Sequence, residues 1–202
     1  KHALKILQAL NSEHPEITYD STIKVEHILK YPDYFKELKN LKMLFVISAF
    51  ETTNDKVLNI LKKNHTSSDL NNAVELSLSN SIDIRPTWMP FSPWTKKQDL
   101  PNIIRLIEEY KLRETVDPIQ LTIKLLVPKN SLILNDPEIE NYLQEYDPAS
   151  FSYSWKYKSP DMDKLQIDLF TYVLHNESLD EYAQYLGIVK IIEQHTEQNL
   201  LE

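Results

Sequence analysis

A single glycine, Gly187, stands in 202 residues. An average chain carries roughly 7% glycine, and the shortage here removes whole classes of site. The P-loop, the dinucleotide fingerprint GxGxxG and the kinase glycine-rich lid each need several glycines close together, because only backbone without a Cβ approaches phosphate that tightly. The nucleophile elbow GxSxG is excluded on the same ground. The chain also lacks cysteine. Its own residues therefore form no disulfide, thiol nucleophile, thiolate zinc site or iron–sulfur ligand set.

Charge narrows the partners. Twenty-two basic and 30 acidic residues give a net charge of −8, which repels duplex nucleic acid and acidic membrane surfaces unless a local basic patch overrides it. The basic residues are scattered, and no apolar stretch approaches the roughly 20 residues of a membrane helix. Neither nucleic acid nor membrane is an expected partner, and a cytoplasmic location is expected. The six histidines show no HxxxH or HxH spacing, which disfavours a histidine-built metal site. The opening KHALKILQAL is amphipathic, lacks an initiator Met and is not signal-like; the closing Leu201–Glu202 resembles an added tail. Both ends read as cuts in a longer chain.

Hydrophobic periodicity alternates between strand and helix. His2 to Leu10 has apolar residues at helical spacing. The β-branched stretch 17–25 follows as a strand, then a short helix over Pro32 to Asn40. MLFVISAF (43–50) is a continuous apolar run, the pattern of a parallel strand covered by helices on both faces. Helices follow from Thr52 and from Thr66, where Thr66 and Asp69 spell a capping box. A third strand is expected over 81–89, a helix after Pro101, and a fourth strand over IQLTIKLLV (119–127). This order predicts an α/β fold: a partial parallel (βα) barrel-type sheet of about four strands over 1–135, with a helical C-terminal tail over 136–202. In the tail, 135–146 and 160–197 read as helices, separated by the aromatic stretch FSYSWKY (151–157).

EHIL (26–29), FVISAFETTNDKVLNILKKNHT (45–66), IRPTWMPFSPWT (84–95) and DPIQLTIKLLVPKNS (117–131) together resemble the radical S-adenosylmethionine superfamily. The nearest likeness is to the subgroup named for a Cys- or selenocysteine-Ala-Glu-Pro tail peptide, with RPTWxPFxPWT its more specific motif. The resemblance covers roughly 1–135, the later strands of that family's partial barrel. It implies a parent protein that binds a four-iron cluster through CxxxCxxC, cleaves S-adenosylmethionine and abstracts hydrogen from a substrate, a peptide among the candidates. This chain has no cysteine. The cluster would then lie upstream, and the chain alone is expected to be inactive and to hold neither cofactor. Its expected partners are the missing upstream barrel segment and, through an exposed sheet edge, a second copy. The other reading is a non-catalytic βα interaction or assembly domain.

Function in a βα barrel gathers where strands end. Glu51 follows the second strand; the resemblance implies that it accepts the ribose hydroxyls of the cosubstrate, whereas its bland role is a carboxylate at a helix N-terminus. Lys24 and Glu26 flank the end of the first strand, where the family contacts the methionyl group, and are otherwise a solvated pair. Trp88 and Trp94, with Arg85, bracket the proline loop, where an indole walls a ligand or simply packs. Gln120 and Lys124 lie an even number of residues apart and share one strand face. A Lys pointing inward there needs a counter-charge or a ligand.

Overall fold

A computed structural model describes residues 2–201. Three strands form a parallel sheet in chain order: β1 (Tyr19–Thr22), β2 (Met43–Glu51) and β3 (Asp83–Trp88). Helix α1 (His2–Glu13) precedes them, and α2 (Val25–Lys30) and α3 (Pro32–Asn40) link β1 to β2. Helices α4 (Asp55–Ile60) and α5 (Ser67–Ser79) link β2 to β3, and α6 (Asp99–Glu109) follows β3. The expected α/β class and the parallel order of these strands are both present. Local chemistry fixes the helix starts. Asn54 accepts the Lys56 and Val57 amides ahead of α4, and Thr66 and Asp69 close both halves of the capping box ahead of α5.

The sheet is covered on one face only. Val46, Ser48 and Phe50 of β2 and Ile84 and Trp88 of β3 are fully or almost fully buried, packed with Val25 and Ile28 of α2, Leu70 and Val74 of α5, and Ile103, Ile104 and Ile107 of α6. The alternate residues form cross-strand pairs on the other face: Phe45 beside Asp83, Ile47 beside Arg85, Ala49 beside Thr87. They are half-buried or exposed. The apolar run 43–50 therefore corrects the expectation of helices on both faces. On the open face the Arg85 guanidinium lies 3.6 Å from the Phe45 ring centre and shields it.

The fourth strand does not join the sheet. Pro118 and the Asp117 side chain, which accepts the Ile119 amide, start a 3-10 helix over Pro118–Thr122. Beyond it the chain is extended and touches the loop after β3 through one parallel bridge, Phe91 with Lys124. The reason lies in β3. Its odd-numbered side faces β2, as the Met89 amide bonded to the Glu51 carbonyl continues to show. Its even-numbered amides point outward, and the central one belongs to Pro86, which has no N–H to offer a further strand.

The tail also differs from expectation. Residues 135–146 are not a helix: a 3-10 turn at Ile139–Asn141 leads into β5 (Leu143–Asp147), which pairs antiparallel with β6 (Ser152–Trp155). The short β4 (Val127–Pro128) pairs with the other edge of β6. Helices α7 (Pro160–His175) and α8 (Glu181–Thr196) complete the chain, and their Leu165, Leu169, Tyr185, Ile188 and Val189 belong to the same buried cluster as the parallel sheet. The Tyr185 hydroxyl donates to Glu108 at 2.6 Å, and Arg113 pairs with the same carboxylate, tying α8 to α6.

Candidate ligand edge of the sheet

Ligands of open α/β sheets bind outside the carboxyl ends of the strands. Here that edge runs from Ile23 past Glu51 to Trp88. A bulge between Ala49 and Glu51 sets Glu51 opposite Trp88, and Glu51 adopts φ 64°, in the left-handed region. The Thr52 amide closes a tight turn on the Phe50 carbonyl at 2.8 Å, so β2 ends abruptly with its last carboxylate turned out of the pleat. The Lys63 ammonium bonds Glu51 Oε1. The side chain is 18% exposed.

The first strand stops short of this point. The Ile23 amide donates to Ile47 and the Ser48 hydroxyl donates back to the Ile23 carbonyl at 2.7 Å. Lys24 then becomes the exposed N-cap residue of α2, without capping through its side chain. Glu26 lies in the first turn of α2. The Asn64 side chain beside it holds its carboxyl below the usual range, against desolvation, with His27, Lys24 and Lys30 adding lesser pulls in the same direction.

One loop joins these two carboxylates. Residues 62–66 carry Lys63 to Glu51 and place Asn64 near Glu26, whose Oε2 is enclosed without a hydrogen bond among the described residues, with Lys62 and Asn64 both at positive φ. His65 is 9% exposed; its Nδ1 lies 3.2 Å from the Lys63 carbonyl, and its Nε2 is enclosed without a hydrogen bond among the described residues. Burial pushes its pKa down. Lys63, Asn64 and His65 fall in the stretch 45–66 that carries the resemblance, but no site role is assigned to them there. Their signal is that position, shortly after a helix that follows a strand-end carboxylate.

The remaining candidates separate. Trp88 is 2% exposed, edge-on to Phe50 with ring centres 5.5 Å apart; its ring is core and presents no face to a ligand. Gln120 reaches the edge and caps β3, its Oε1 accepting the Trp88 amide at 3.0 Å. It sits in the 3-10 helix while Lys124 sits in the extended segment, so the expected shared strand face does not exist. Lys124 finds the counter-charge its position demanded: Asp163 of α7 at 3.2 Å, with the Trp155 ring centre 4.1 Å away. It faces the C-terminal sheet and not the Glu51 edge. Trp94 packs in a separate small cluster with Val57 and Ile139. Glu51, Glu26 and Gln120 are thus the predicted residues that the edge brings together. Among the described residues, no group of three or more His, Asp or Glu is arranged to hold a metal ion, and no helix is long and apolar enough to cross a membrane.

No family model and no curated protein matches the chain. Solved structures do. The cobalamin-dependent S-adenosylmethionine radical enzyme OxsB with aqua-cobalamin bound is similar over 96% of this chain, with TM-score 0.65 and 13% identity. The same enzyme with aqua-cobalamin and S-adenosylmethionine bound gives TM-score 0.66 and 12% identity over the same share. At such identity the likeness is one of fold. The match takes in 35% of the enzyme's own chain, so this chain spans about a third of its length, with the fold of that part of a radical S-adenosylmethionine enzyme.

Proposed function

We propose that this chain is the later part of a radical S-adenosylmethionine enzyme, in the subgroup with the Cys- or selenocysteine-Ala-Glu-Pro tail, and that it has no activity alone. In this reading 1–135 contribute barrel units and 136–202 an extension. An upstream segment brings the CxxxCxxC cluster loop, and the whole enzyme cleaves S-adenosylmethionine and abstracts hydrogen from its substrate in the cytoplasm. One observation carries the proposal: a parallel sheet clothed by helices on a single face, with the outer edge of β1 unpaired among the described residues, in a chain whose fold matches about a third of such an enzyme.

The residues present do not make a cosubstrate site by themselves. Glu51 retains one oxygen beyond the one Lys63 occupies. The acceptor of Gln120 is taken by Trp88, and the Trp88 ring is buried. There is no thiolate to hold a cluster. A single charge-assisted contact of about 1.5–3 kcal/mol does not exceed an association cost of about 4 kcal/mol or more. Calorimetric titration of the chain with S-adenosylmethionine is therefore expected to show no saturable binding below about millimolar concentration. Joined to an upstream segment carrying CxxxCxxC, it should bind iron and release 5′-deoxyadenosine and methionine on reduction, and Glu51→Ala should weaken cosubstrate binding about tenfold. Tight binding by the short chain contradicts the proposal, as does a joined protein that takes up no iron.

A second reading, a non-catalytic interaction domain, is favoured by α1, which contributes no buried residue. A parent sequence without CxxxCxxC within about one domain length upstream decides for it.

A further inference from the structure

A cavity of about 380 Å³ opens where the loop after β3 meets the C-terminal sheet. Its volume falls within the range of small-ligand sites. Trp94 and Tyr142 line it, their rings tilted at 60° with centres 6.4 Å apart; Trp94 is almost fully buried and Tyr142 is the more exposed of the two. The Trp94 Nε1 and the Tyr157 hydroxyl are sealed beneath this lining, with the Glu138 and Thr95 side chains beside them.

The mouth carries three ammonium groups, Lys56, Lys96 and Lys158. Lys56 is neutralised by Glu138 at 2.8 Å. Lys96 and Lys158 have no carboxylate within ion-pair distance among the described residues, and Lys158 stands 5.3 Å from the Tyr142 ring centre. The nearby Asp99 carboxylate is committed to the Asn54 side chain and to the Lys96 backbone amide. The lining thus carries three ammoniums and no carboxylate, with Glu138 and Asp99 just behind it.

We propose that this cavity binds a small anion carrying a flat ring, its phosphate or carboxylate at Lys96 and Lys158 and its ring against Tyr142. The site does not use Glu51 or its neighbours, so it stands or falls separately from the radical-enzyme reading.

The test is titration of the full chain at low ionic strength, by calorimetry and tryptophan fluorescence, with phenyl phosphate, benzoate, benzyl alcohol and inorganic phosphate. Phenyl phosphate or benzoate should saturate in the millimolar range or below, and whichever binds tighter names the anion. Benzyl alcohol and inorganic phosphate should each bind about tenfold more weakly, since each lacks half of the recognised chemistry. The exposed pair K96Q/K158Q should lose about tenfold in affinity for the tighter ligand, while K97Q, outside the cavity lining, should lose nothing. Absence of saturation by either aromatic anion overturns the proposal. So does equal binding of benzyl alcohol or inorganic phosphate, or indifference to K96Q/K158Q.

Discussion

Nine residues with side chains, among them Glu51, Lys111 and Asn130, hold positive φ among the described residues, whereas the single glycine lies inside α8, where that freedom is unused. Its role is space: a Cβ at Gly187 would run into the end of the Tyr172 ring on α7. Helix propensity alone favours Gly187→Ala by about 1 kcal/mol, but overpacking costs about 1–3 kcal/mol. A net loss is therefore expected in urea denaturation, with the sign reversing in a Tyr172→Ala background. At Lys111 the logic is opposite. The Leu112 amide bonds Ile107 and the Lys111 amide bonds Glu108, a Schellman ending whose left-handed position glycine prefers. Lys111 is exposed, and Lys111→Gly should stabilise by about 0.5–1 kcal/mol, the relief of φ less the entropy glycine adds to the unfolded chain. His65 gives the pH dependence. Its pKa is lowered by burial from an ordinary 6.5, so the folded state prefers it neutral. That contribution is complete above the ordinary value and is lost as pH falls from 6.5 through the lowered folded value. His65→Gln should flatten the stability curve in this window while leaving the carboxylate-driven loss at lower pH.

At the scale of elements, legibility followed locality. The capping box at Thr66, the proline-led α3 and the apolar run of β2 are written in short windows, and each formed where its window lies. The misread segments depend on partners. Residues 119–127 carry strand-forming side chains, but Pro86 removes the donor they would pair with, and Asp117–Pro118 start a helical turn instead. PEIENYLQEY has helix-forming residues, yet the Asp147–Pro148 turn and the Tyr146–Tyr153 contact at 5.1 Å fold it back as a hairpin. Of the site, Glu51 at a strand end was legible. The loop 62–66 that grips it lay inside the stretch 45–66 that carries the resemblance, but its grip on Glu51 was not legible, because nothing in its own composition announces where the strand ends lie. Burial likewise ranks the helices. Leu169 of α7 is fully buried, while Leu7 of α1 is half-exposed in a helix with no buried residue. Leu169→Ala should cost about 2–5 kcal/mol and Leu7→Ala about 1 kcal/mol or less, read as midpoint shifts at constant m-value.

Across the whole molecule, the helix-packed layer is continuous from α2 to α8, while the opposite face and the β1 edge are not closed by any described element. Tyr19 and Ile23 donate their amides toward β2, so by the alternation of a strand the Asp20 and Thr22 amides point away from it. Both residues are exposed. An unpaired strand edge is a template for a further strand, and on the reading proposed above that strand belongs to an upstream barrel unit. Native-state hydrogen exchange reads the edge directly. The Asp20 and Thr22 amides should exchange about a hundredfold or more faster than those of Val46 and Ser48, which sit in the central strand and open only with larger unfolding. Adding the upstream segment should slow Asp20 and Thr22 alone; if copies of the chain cover the edge instead, the same two amides should slow with rising protein concentration. Protection of Asp20 and Thr22 in the dilute monomer, equal to that of Val46, would show that the edge is already closed and remove the ground for either partner.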